Sequence, residues 1–158
     1  MQDIETFLAH AIRLEEEAAN RFSDLTALMK TYGNEEVAAF FNTMAGFSRQ
    51  HLAQARARSG FHPMAAVPAD AVSWPAGESP EATSMEASHY LMTVEYALEL
   101  ALEGEKRSLA FYQEVAESTE DPEVRLMAQE FVEEEADHVR QLEAWVARYP
   151  SPKAPSPA

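Results

Sequence analysis

Apolar residues recur at steps of three and four along four separate stretches, the spacing that gathers side chains on one face of an α-helix. The first covers about residues 3–30 and turns Ile4, Phe7, Leu8, Ala11, Ile12, Ala18, Ala19, Phe22 and Leu25 inward. Gly33 supplies a stop, and Asn34 is suited to cap the next helix. The second covers about residues 35–58, with Val37, Phe40, Phe41, Met44, Leu52 and Ala55 inward. The third is clear over about residues 85–118, on Met92, Leu98, Ala101, Leu102, Leu109, Tyr112 and Val115, and Ser79-Pro80-Glu81 offers an earlier start or a separate short turn. The fourth opens on Asp121, Pro122 and Glu123, a cap, a first-position proline and a first-turn acid, and ends near Arg148. Between the second and third, Gly60, Pro63, Pro68, Pro75, Gly77 and Pro80 break any helix over about residues 59–84. The pattern therefore predicts an all-α four-helix bundle over residues 1–149, two short-turn hairpins joined by one long crossover, followed by a flexible Pro-rich tail at 150–158. At roughly 3.3 Å per extended residue the crossover can run the length of a bundle.

Polar residues interrupt the apolar stripes at matching places. Glu135 and His138 lie in phase with Met127, Phe131, Leu142 and Trp145. Glu15 sits among Ile12, Ala18, Ala19 and Phe22, and Glu105 among Ala101, Leu102, Leu109 and Tyr112. On the second helix His51 follows Met44 and Phe47 on the inward face. Burying carboxylates and imidazoles in apolar surroundings is costly unless something compensates them. The hairpins also repeat one another: Ala11-Ile12-Arg13-Leu14-Glu15 parallels Ala101-Leu102-Glu103-Gly104-Glu105. Glu15 precedes Gly33 by 18 residues and His51 follows it by 18, while Glu105 precedes Glu120 by 15 and Glu135 follows it by 15. With a common rise of ~1.5 Å per residue, each pair is level within its hairpin. If the two turns lie at opposite ends, all of them meet at mid-bundle.

Composition narrows the chemistry. The 158 residues carry a net charge of −15 and no cysteine. That excludes disulfides and thiolate centres but not metals held by nitrogen and oxygen. The charge opposes nucleic acid and anionic lipid. No stretch approaches the ~20 apolar residues of a membrane span, and the acidic start is unlike a signal peptide. A cytoplasmic protein is the expectation.

The constellation resembles the ferritin-like, rubrerythrin-type diiron-carboxylate proteins, which carry one Glu on each of two helices and Glu-x-x-His on each of the other two. Glu15, Glu105, Glu135 and His138 match that pattern and His51 matches the second histidine, over about residues 3–147. One position departs: Ser48 stands where the family has a Glu ligand. Five ligands are thus expected: Glu15, His51, Glu105, Glu135 and His138. Two metals bridged by Glu135 alone, or one metal at Glu105, Glu135 and His138, both fit. The resemblance implies iron, one or two per chain, with zinc or manganese as alternatives. It also implies oxidation of iron or reduction of peroxide, with hydrogen peroxide or dioxygen as oxidant. No rubredoxin-type domain is evident, so turnover would need an external electron donor.

Other readings compete. Ser48 is compatible with a non-catalytic bundle that binds a structural metal or serves as an interaction module. Iron storage or delivery is a third option, and a homodimer is compatible with the fold. Glu16, Glu17, Glu133 and Glu134 read as a solvated face. His10, His62 and His89 read as structural or exposed, and Tyr112 as core or as a hydrogen-bond partner of a ligand carboxylate.

Overall fold

The computed structural model describes residues 4–59 and 93–149. Among these are four long helices and no strand: α1 (Ile4–Thr31), α2 (Glu35–Ser59), α3 (Val94–Ser118) and α4 (Pro122–Arg148). The first turn closes as a Schellman motif. Gly33 takes φ 77°; its N–H bonds to the Lys30 carbonyl at 3.0 Å and that of Asn34 to Met29 at 2.9 Å. The Asn34 side chain then accepts from the Val37 N–H at 3.0 Å and starts α2. The Asp121 carboxylate caps α4, accepting from Glu123 N–H at 2.9 Å, with Pro122 in the first turn.

The sequence pattern misplaces one boundary. Thr93 is extended, and its hydroxyl accepts from the Tyr96 N–H at 3.1 Å, so α3 begins at Val94 rather than near residue 85. A capping hydroxyl outweighs continued apolar periodicity there. Met92 and His89 lie outside the described residues, as do the tail and all of the predicted crossover except Ser59.

Two apolar clusters fix the directions of the helices. One joins the start of α1 (Ile4, Phe7, Leu8) to the end of α3 (Phe111, Tyr112, Val115), the start of α4 (Val124, Met127, Phe131) and Ala55 of α2. The other joins the end of α1 (Phe22, Leu25, Met29) to the starts of α2 and α3 and to Leu142 of α4. The two turns therefore lie at opposite ends, α2 and α3 run parallel, and the end of α2 and the start of α3 are separated by the length of the bundle. This is the ferritin-like arrangement. Surface contacts tie the hairpins together. Arg58 bonds Glu130 at 2.7 Å; Arg148 pairs with Glu36, which also accepts from the Tyr149 hydroxyl at 2.8 Å. Trp145, half-buried rather than inward, stacks on Phe40 with ring centroids 4.9 Å apart.

Candidate metal centre

Between the two apolar clusters the core turns polar. Glu15 of α1, Ser48 and His51 of α2, Glu105 of α3, and Glu135 and His138 of α4 are all buried. Helical phase delivers each of them: Glu15 follows the inward Ala11 by one turn and precedes Ala18 and Ala19, and Glu135 follows Phe131 in the same way.

The ligand-type atoms form two groups. Glu15, His51 and Glu135 each offer one atom, all within 4.8 Å of one another, and so do Glu105, Glu135 and His138. Glu135 belongs to both. Nδ1 of His51 lies 3.8 Å from Glu15 Oε2, and Nδ1 of His138 lies 3.5 Å from Glu105 Oε1 and 3.6 Å from Glu135 Oε2. These spacings exceed N–H···O bonding distance. Two donors each ~2.1 Å from one tetrahedral metal are about 3.4 Å apart, which is close to what is found. The two imidazoles stack, with centroids 5.4 Å apart and planes at 11°.

Several of these atoms have no other use. Both carboxylate oxygens of Glu105, Oε2 of Glu135 and Nδ1 of both histidines are sealed from solvent without a hydrogen bond among the described residues. Buried polar atoms in that state cost free energy, and a cation among them removes the cost. The donor set is oxygen and imidazole nitrogen, which suits iron, zinc or manganese.

Protons take up the charge otherwise. Burial, with Glu135 alongside, pushes Glu105 up to about 8. Burial and the Glu15 charge also raise Glu135. Burial opposes the charged form of His51, but Glu134 and Glu15 more than offset it and hold the imidazole at about 10. Glu105 and Glu135 do the same for His138, to about 11. Bound metal would have to displace these protons.

Helical phase alone misses four participants. Glu134 is not simply solvated: its Oε2 accepts from His51 Nε2 at 3.0 Å. It lies one position before Glu135, on the flank of the inward face, where periodicity gives no signal. Glu17 is likewise withdrawn from solvent, pairs with Arg13 at 3.3 Å, and is raised by burial to about 7. His10 is buried against the Phe111 ring, and burial lowers its pKa. Arg21 is buried too and donates to the Leu100 carbonyl at 3.3 Å. Tyr112 fills both sequence-based roles: it is fully buried, and its hydroxyl donates to Glu15 Oε1 at 3.4 Å. Glu133 is exposed, as is Gln50, and Glu16 bonds Arg56 at the surface. His62 lies outside the described residues.

A rubrerythrin family model matches residues 6–146. A crystal structure of an uncharacterised conserved protein from Magnetospirillum magnetotacticum MS-1 is similar over 98% of this chain and 99% of that one, with 36% identity and a TM-score of 0.81. None of the curated proteins compared matches. Among the described residues no helix is long and apolar enough to cross a membrane.

Proposed function

Because the chain belongs to the rubrerythrin family, we propose that it binds iron at the buried carboxylate–histidine layer and uses it in redox chemistry with hydrogen peroxide or dioxygen. The observation that carries this reading is the sharing of Glu135 by two three-donor groups. One metal would be held by Glu15, His51 and Glu135, the other by Glu105, His138 and Glu135. With Ser48 in place of a carboxylate, Glu135 would be the side chain common to both groups, and water or a small anion would have to supply the remaining donors. Bound iron supplies one-electron redox capacity.

The chain's own groups do the rest. The three carboxylates balance the growing positive charge of oxidised metal. The imidazoles set affinity and geometry. The Tyr112 hydroxyl steadies Glu15 from the side away from His51. Phe7, Phe131 and Tyr112, packed ring to ring, keep water from one end of the layer. Reducing equivalents come from an external donor.

The test is anaerobic loading with ferrous iron, elemental analysis, and then addition of peroxide. About two irons per chain and a ferric absorbance change are expected. Metal present without any absorbance change removes the redox claim. That outcome would favour a structural metal, the reading that the buried serine at position 48 supports.

A further inference from the structure

The apolar clusters close the polar layer above and below. A cation approaching along the bundle axis would have to cross packed aromatic side chains. A lateral approach exists between α2 and α4. There a solvent-open cleft of about 310 Å³ is lined by Phe47, His51, Glu133, Glu134, Asp137 and His138. The two stacked imidazoles line it together with three carboxylates. None of the five ligand residues needs Glu133 or Asp137 for support. Among the described residues Asp137 bonds to Arg140 at 3.2 Å and Gln141 at 2.8 Å on the surface.

A second feature points to a ligand. His138 is 96% buried, since its exposure is 4%. Its Nδ1 faces Glu105 and Glu135. That nitrogen is buried without a hydrogen-bond partner among the described residues, and the same ring lines the cleft. The ring of His51 lines it too, and its Nε2 meets Glu134. Carboxylates thus descend from the rim to the imidazoles in steps, Glu133 and Asp137 outside and Glu134 inside.

We propose that this cleft is the port through which a divalent metal ion reaches the buried centre, with Glu133 and Asp137 collecting the ion and Glu134 passing it to the histidine layer. The inference rests on the metal-binding reading above. A cleft lined by one sign of charge raises the local concentration of the opposite ion and its association rate by about 10-fold or more. The port residues are not ligands of the resting site, so they act on rates in both directions.

The experiment is stopped-flow binding of Co(II) to the full chain at low ionic strength, followed by the cobalt visible bands. The double variant Glu133→Gln/Asp137→Asn is compared with Glu114→Gln/Glu117→Gln, which removes equal charge from exposed positions of α3. The first is expected to slow association and dissociation together by about 10-fold, leaving Kd within a few-fold. The second leaves both rates as in the parent protein. High salt should bring all three proteins together. Unchanged rates in the first variant overturn the port. Equal slowing in the second also overturns it, because the effect would then belong to the overall charge. A weakened Kd with an unchanged association rate overturns it as well, making Glu133 and Asp137 part of the site. No cobalt bands in the parent protein would instead remove the metal-binding reading and the port with it.

Discussion

Glu15, Glu135 and His51 on one side and Glu105, Glu135 and His138 on the other each bring two carboxylates and one imidazole, yet their surroundings are unlike. The first half is held by polar neighbours. Tyr112 donates to Glu15, and Glu134 accepts from the outer nitrogen of His51. The second half is held by burial. Both Glu105 oxygens are sealed without a hydrogen bond among the described residues, and His138 is stacked between Phe47 and His51. Equal donor sets in unequal settings imply that affinity differences between the halves come from their supports rather than from ligand count. Ser48 sharpens the point. It occupies in the first hairpin the place of Glu135 in the second, and Glu135 serves both halves. On the proposed metal-binding reading the missing carboxylate would be a shared one, and its absence would weaken both halves instead of leaving one intact.

The strongest way to break that symmetry argument is Glu135→Ala. If Glu135 is common to both halves, its removal should lower metal affinity at both by more than the ~10–100-fold typical of a supporting residue. Titration with zinc and elemental analysis should find almost none bound. Glu105→Ala should abolish only one of the two binding steps. Retention of one tight metal by Glu135→Ala would show that the halves do not share it.

The converse change, Ser48→Glu, should restore the second bridge. We expect the weaker binding step to tighten by about 10-fold or more, on the same scale of ligand-shell effects. Without metal the extra buried carboxylate has nothing to offset it. The melting temperature of the metal-free variant should fall and recover when zinc is added. A variant that binds metal no better than the parent protein would place residue 48 outside the shared layer.

A smaller effect separates the halves by pH. In the unfolded chain Glu105 titrates near 4.5, whereas in the folded metal-free protein it holds its proton up to about 8. Between these values the folded state binds more protons, so stability falls as pH rises. Glu17, raised by burial to about 7, adds to the same slope. His51 and His138, raised from 6.5 to about 10 and 11, steepen the fall from about pH 6.5 upward, and their contribution is exhausted only in alkaline solution. Thermal melts of metal-free protein from pH 5 to pH 8 should decline, and Glu105→Gln should flatten the part due to that residue. A Glu105→Gln slope equal to the parent's would mean that Glu105 is already ionised. Metal loading reverses the trend, since bound metal must displace protons and affinity rises with pH.

Much of this centre can be read from helical phase. An inward carboxylate or imidazole stands out against an apolar stripe, and equal distances from the turns predict that the levels meet, which requires only regular helices. Flank positions are harder. Glu134 and Glu17 sit beside charged neighbours in runs such as Glu133-Glu134-Glu135, where composition suggests solvent and only the neighbouring helix decides. Glu134 is drawn in by His51 across the α2–α4 interface, a contact between residues far apart in sequence. The α3 boundary shows a different limit: apolar spacing continues upstream of Val94, but a single capping threonine fixes the helix start. Arg21 and His10 are buried by neighbours on other helices, which periodicity within one helix does not register.

The gentlest probe is Tyr112→Phe. The hydroxyl is 3.4 Å from Glu15 Oε1, beyond the ~2.5–3.0 Å of a strong O–H···O bond. The ring is held independently, stacked on Phe131 at 4.8 Å and edge-on to Phe7 and Phe111 at 6.2 and 5.5 Å. Removing the hydroxyl therefore keeps the packing and withdraws one weak donor, worth about 0.5–1.5 kcal/mol at most. In a chain of this size that is a fall of a few degrees in melting temperature, about 2–4 °C per kcal/mol. Because the donor serves Glu15 alone, any loss of zinc affinity should appear in the Glu15 half and leave the Glu105 half unchanged. Equal weakening of both steps would mean that Tyr112 acts by shaping the whole layer, and the distinction between a half held by hydrogen bonds and a half held by burial would then fail at its most direct point.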